Sequence, residues 1–294
     1  MRTGADAALL SRAVKGTFRL LNASRASAAG LAVFVVICGL AVAAPWLAPH
    51  DPISQDVPHR LEAPSAGYLL GTDAFGRDIL SRLLWGSRIS LTIGIVSILL
   101  AMVVGGAFGI LAGYKGGRTD SIVMRVMDVL LSFPTLIMGL LIVTVLGPSM
   151  VNLIGAIALT VVPKFARIAR APTIAVRERE FIEASRAMGV SALRIMGVHV
   201  VPNVAGEVLV MASLWTATAV RIEASLSFIG LGVKPPTPTW GGMIREGFEH
   251  ILDAPWLSIY PGLCLLVLVF SLNLVGDGLR DAADPKLRNG QSSW

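Results

Sequence analysis

Six apolar runs divide the chain, each near the ~20 residues a helix needs to cross a bilayer. They fall at roughly 29–48, 89–113, 122–146, 150–171, 204–229 and 257–279. The polar stretches between them are unequal. Residues 49–88 and 232–256 form two sizeable connections, 172–203 a third, and the other joins are short. The pattern predicts an all-α polytopic membrane protein with six transmembrane helices and short tails at 1–28 and 280–294. Residues 89–279 make a five-helix core. The first run contains AVA followed by Ala44, which has the small-residue look of a signal-peptidase site. Its long basic lead and its length favour a retained span. The chain shows no soluble domain and no low-complexity tract.

Within the runs, a few positions break the apolar monotony. Ala101, Gly105, Gly109 and Gly113 recur every four residues, so they share one helix face where another helix can approach closely. That face is assigned to subunit or bundle assembly. Pro134, after Asp128 in DVLLSFP, and Pro163 each remove a backbone donor and bend their helices. Such bends fit neighbouring helices or open a cavity, and the first reading is favoured. Glu207, Arg221 and Glu223 are charged positions within the fifth run. Arg221 and Glu223, two residues apart, point to different faces. Two readings stand for them: snorkelling to headgroups, or lining a translocation path. Asp128, Asn273 and Asp277 sit near span ends and read as helix-end or interface groups.

Composition agrees with a membrane protein: 54% hydrophobic and 15% charged residues leave too little charge to cover a soluble surface. The net charge of +6 matters through its distribution, and does not argue for nucleic acid. Eighteen of the 25 Lys and Arg fall in segments that alternate to one side. These are Arg2, Arg12, Lys15, Arg19 and Arg25; then Lys115, Arg118 and Arg125; then Lys164, Arg167, Arg170, Arg177, Arg179, Arg186 and Arg194, taken as the link between spans four and five; and finally Arg280, Lys286 and Arg288. Six (Arg60, Arg77, Arg82, Arg88, Lys234 and Arg245) fall on the other side. The bias predicts both termini in the cytoplasm and places 49–88 and 232–256 outside. Cys38 and Cys264 lie inside apolar runs and read as small core residues.

Catalytic chemistry is not encoded in recognisable form. The sequence has no GxxxxGK[ST] phosphate loop, no HExxH, no GxSxG and no Cys/His cluster, and its four His are scattered. No metal or cofactor is expected on this chain. Energy for uphill movement would come from a partner or an ion gradient.

The stretch EFIEASRAMGVSALRIMGVHVVPN (180–203) is charged and helical in pattern, and broken once by Gly189. Val176 to Met188 suits one short helix, with Gly189 at the left-handed position after it. Ser191 can cap a second helix, ALRIMGVHV, which stops at Pro202 and shows Leu193, Met196 and Val200 on one side. Two readings stand again: an amphipathic elbow on the membrane surface, or a knob, with small Ala184 near its tip, that enters a groove of another protein.

EASRAMGVSALRIMGVHVVP resembles the EAA loop of ABC-importer permeases. Glu183, Ala184, Gly189, Val201 and Pro202 match; Ser185 replaces the second Ala and His199 takes an apolar position. YLLGTDAFGRDILSRLLWGSRISLTIG (68–94) is similar to the signature of the dipeptide, oligopeptide and nickel permease family, on Gly71, Thr72, Asp73, Gly76, Arg77 and Asp78. SLSFIGLGVKPPTPTWGGMI, with Trp240 and Gly241, and NLVGDGLRDAADPKLR, with Asp277, also resemble it, and Arg125, Asp128 and Pro134 fit its third-span pattern. Four motifs in order, over residues 31–288, identify the chain with the C-type member of that family. Arg221 and Glu207 depart from its usual uncharged positions.

The resemblance implies the ABC type I importer permease (MetI-like) fold. It implies half of a translocation pore for short peptides, with nickel or another small solute as alternatives. Its expected partners are a second homologous permease, one or two ATPase subunits that bind ATP and Mg, and an extracytoplasmic substrate-binding protein. Segment 172–203 would be the coupling loop, with Glu183, Ala184, Ser185, Met188 and Gly189 at the ATPase. A proton-coupled transporter with Glu207, Glu223 or Asp277 as relay and a non-transporting scaffold are the other classes in play.

Overall fold

A computed structural model describes residues 25–283. The tail 1–28 up to residue 24, and 284–294 of the C-terminal tail, lie outside the described residues, with Arg2, Arg12, Lys15, Arg19, Lys286 and Arg288. All long elements among the described residues are helices: α1 (Arg25–Leu47), α2 (Ile79–Lys115), α3 (Gly117–Ser132), α4 (Thr135–Leu146), α5 (Met150–Arg177), α6 (Glu180–Ala187), α7 (Ala192–Ile195), α8 (Val201–Ile229), α9 (Trp240–Phe248) and α10 (Trp256–Ala283).

The second span starts ten residues before the expected 89, because Ile79–Arg88 adds a helical extension ahead of the apolar run. Asp78 caps it: its carboxylate accepts from the Ser81 N–H at 2.9 Å. α5 lies along α2 in the same direction. A Cβ on Gly105, Gly109 or Gly113 would run into the carbonyl of Val162, Ala166 or Arg170 respectively. Two four-residue ladders therefore mesh, and Ala101 at the head of the stripe is fully buried. The small-residue face is spent inside this chain, as bundle assembly. Pro163 is buried within α5, and the helix continues past it.

Because α2 and α5 run the same way, the chain must return between Lys115 and Met150. It does so through α3 and α4, bent by 90° at Phe133 and Pro134. The single bent span expected at 122–146 is thus a broken one. Pro134 stands outside both helices at the head of α4, where its missing N–H costs nothing, and its carbonyl accepts from Met138 at 3.0 Å. Ser149 caps α5, and Asn152 Nδ2 donates to Leu146 and Gly147 carbonyls at 2.9 Å, tying the tight return.

Five helices are long and apolar enough to cross a membrane, and the bent pair makes a sixth. One buried core joins α2, α5 and α8 through Ile98, Ile157, Phe165 and Ile222; a second joins α1, α9 and α10 through Ala41, Trp240, Leu268 and Leu272. α1 is otherwise largely exposed and meets α10 through small residues, with Gly30 against Leu274. Arg25 and Ala283 thus lie toward the same end. Cys38 and Cys264 are free and partly buried beside the second core.

Candidate functional site

At the Arg77 end, segment 49–78 folds into a tight polar plug. Gly71 and Gly76 take positive φ (81° and 75°), and at both a Cβ would strike backbone, of Glu62 and Asp56 respectively. Thr72 donates to the His59 carbonyl and accepts from the Glu62 N–H at 2.9 Å. Asp73 accepts from the N–H groups of Phe75 (2.8 Å) and Arg77 (3.0 Å), and from Arg77 Nε at 2.6 Å. Arg82 Nε lies 3.3 Å from the same carboxylate. Glu246 of α9 closes the set, 2.7 Å from Arg77 and 3.0 Å from Arg82. Both Arg side chains are buried, so each charge is matched where water cannot solvate it. His59 and Tyr68 both bond Asp56, and hold its carboxyl below the ordinary range; Asp56 in turn raises the Tyr68 phenol.

α9 seats this plug on the bundle. Thr239 caps it, Trp240 Nε1 donates to the Leu83 carbonyl at 3.0 Å, and Gly241 allows contact with the Ala224 backbone. Between the plug, the 232–239 connection and α9 lies a polar cleft of about 650 Å³, lined by Arg82, Lys234, Arg245, Glu246 and Glu249 among others.

At the opposite, Lys115 end, α6 and α7 form the helix–Gly–helix unit. Val176 and Arg177 finish α5, so the first short helix starts at Glu180 rather than Val176. Gly189 takes φ +77°; its N–H donates to Arg186 and that of Val190 to Ser185, closing α6 as a Schellman turn. The second helix does not stop at Pro202. A π turn (Met196–Val200) carries it into α8, whose first turn accepts Pro202, and Asn203 Nδ2 donates to the His199 carbonyl at 2.7 Å. Ser191 sits at the cap without a side-chain bond.

The unit has two faces. Ile182, Ser185, Ile195, Met196 and Val200 are buried toward the bundle; Glu183, Ala184, Met188 (75% exposed) and Leu193 (79%) face out. Ser185 was expected at a partner contact and instead donates inward to the Phe181 carbonyl. Leu193 is likewise split from Met196 and Val200, since Ile195 takes the inner position. Arg186 stacks on Tyr114 of α2 and Arg177 donates to the Gly113 carbonyl, so the unit is braced to the bundle.

The charges inside the spans separate. Glu223 is fully buried and accepts from Ser227 Oγ at 2.7 Å, so it faces neither headgroups nor an open path; that expectation is corrected by its packing inside the bundle, toward Ser90 of α2. Arg221 is exposed and donates to Thr218. Glu207 and Asp277 are exposed, and Glu207 is ~24 Å from Glu223 along α8, too far for a proton relay between them. Asp128 pairs with Arg167 at 2.6 Å rather than with Arg125, which is exposed. Lys164, like Arg167 and Arg170, lies on α5 ahead of the 172–203 link, with its ammonium 4.1 Å above the Trp215 ring.

The architecture is that of a multi-pass inner-membrane permease. Residues 105–289 match the binding-protein-dependent transport system inner membrane component family, and residues 15–64 the N-terminal TM domain of oligopeptide transport permease C; the chain belongs to this family. It is 42% identical over 266 residues to the di/tripeptide transport system permease protein DppC of Pseudomonas aeruginosa, covering 88% of each chain. The glutathione transport system permease protein GsiD of Pectobacterium atrosepticum is 41% identical over 92% of this chain and 90% of its own length. The fold is shared with an inward-facing form of the MetNI methionine ABC transporter (TM-score 0.54, 20% identity, 69% of this chain and 97% of that one).

Proposed function

We propose that this chain is the C-type permease subunit of an ATP-driven importer of short peptides. It forms half of the pore beside a second, homologous permease. Family membership supports the permease role, and the names of the dipeptide and di/tripeptide relatives support the substrate class. Glutathione, handled by one relative, is itself a small peptide.

The observation that carries the coupling role is the outward face of α6–α7: a short helix closed by Gly189, with Ala184 and Met188 exposed and the unit braced to α2 through Arg186 and Tyr114. Such a unit fits a groove on an ATPase subunit and transmits its closure as a rigid-body shift. ATP and Mg would be bound by one or two such subunits, and this chain would hydrolyse nothing. The Lys115 end then faces the cytoplasm, with both termini, and the plug and its cleft face outward, toward a substrate-binding protein.

The test is purification of the tagged chain from native membranes in mild detergent, followed by reconstituted uptake. Recovery with a second permease and one or two ATPases, and ATP-driven dipeptide uptake, is expected. With Gly189→Leu, where Leu is forced into a left-handed backbone, the assembled importer should still hydrolyse ATP with uptake lost. Normal uptake in that variant, at equal expression, would remove the coupling role from this turn.

A further inference from the structure

Lys164 and Trp215 occupy the middle of their helices, α5 and α8, which pack against each other. The ammonium lies over the indole of α8. No carboxylate stands within ion-pair distance of it among the described residues, and the buried Trp215 Nε1 has no acceptor there. Nearly two helical turns beyond Trp215 on α8, Arg221 reaches back to Thr218 and is also without a carboxylate. Trp215 and Thr218, three residues apart, share one stripe of α8, and Lys164 and Arg221 meet that stripe at these two residues. Toward the Lys115 end the pattern changes: Arg167 and Arg170 of α5 are each paired, with Asp128 and Asp120. The unmatched positive charge is confined to the middle and the Arg77-side half of the α5–α8 surface.

An uncompensated cation on a membrane-spanning helix is expensive, and is retained where an anionic group visits it. We infer that Lys164, held by Trp215, and Arg221 form a cationic track on the translocation path that takes the carboxylate of the substrate in transit. Arg221 meets it first, from the Arg77 end, and Lys164 next. The inference rests on the peptide reading above, since every linear short peptide carries a free carboxylate.

The test uses the complete importer in proteoliposomes, with its binding protein outside and ATP inside, and follows uptake of a labelled dipeptide together with ATP hydrolysis. Lys164→Gln should lower uptake per ATP hydrolysed roughly tenfold, the scale of a lost charged hydrogen bond. Lys164→Arg should restore most of it, and both variants should retain the second permease at wild-type stoichiometry. Wild-type uptake by Lys164→Gln would overturn the track. So would loss that accompanies release of the second permease, which would make Lys164 an inter-subunit ion-pair partner. Failure of the wild-type importer to take up dipeptide at all is a separate outcome, read before any variant, and removes the peptide reading together with the track.

Discussion

One carboxylate, Asp73, accepts two backbone N–H groups and faces two buried guanidinium groups. Removing it leaves Arg77 and Arg82 sharing Glu246 alone, with the turn at Phe75 unsupported. Asp73→Ala should therefore destabilise the purified protein by about 3 kcal/mol or more, the scale for breaking a buried charge set. Asp73→Asn, which keeps an acceptor for the N–H groups, should cost less. Thermal unfolding in detergent reads the order, and equal midpoints for both variants would remove the charge argument. At this scale the sequence was legible where chemistry is local. The resemblance of the GTDAFGRD stretch to the family signature marked Asp73, Arg77 and Asp78 as a unit. Glu246, 169 residues from Arg77, carried no local signal, because its partners meet it only when α9 docks. Lys164 shows the same limit: nothing local in VVPKFA reveals that its ammonium lies over Trp215, because the two meet only when α5 packs on α8.

Elements were more legible than residues, since bilayer thickness imposes length and the four-residue glycine repeat imposes a face. Gly106 and Gly109 make the face testable. A Cβ at Gly109 would overlap the Ala166 carbonyl, whereas nothing lies within 4 Å of one at Gly106. Gly109→Val should push α2 from α5 and cost about 1–3 kcal/mol or more, and Gly106→Ala should leave the unfolding midpoint near wild type. A Gly106→Ala loss equal to that of Gly109→Val would place the close approach elsewhere. What hydropathy could not show was where helices begin and end beyond the apolar run. Ile79–Arg88 is helical because Asp78 caps it and its buried side packs on α9. The 180–203 unit continues into α8 because a π turn absorbs the register change before Pro202. Both depend on tertiary contacts that composition does not carry.

At the scale of the whole molecule, the directions of the helices fix the count of crossings. α2 and α5 are parallel, so the broken pair α3–α4 must return the chain between them, and Gly30 against Leu274 brings the first and last described helices to the same end. Six crossings then leave the plug, with Arg60, and the 232–239 connection, with Lys234, on one side, and α6–α7 on the other. In the proposed orientation, which follows the uneven distribution of Lys and Arg, α6–α7 face the cytoplasm. In a chain whose Cys38 and Cys264 are replaced by Ala, Arg60→Cys and Lys234→Cys should react with a membrane-impermeant maleimide added to intact cells. Arg194→Cys, exposed on α7, should react only after the membrane is opened. Its labelling should fall further when the ATPase subunits are present, because their groove would cover it. Labelling of Arg194→Cys from outside would invert the molecule, put the plug in the cytoplasm, and leave the helix–Gly–helix unit with no ATPase to engage.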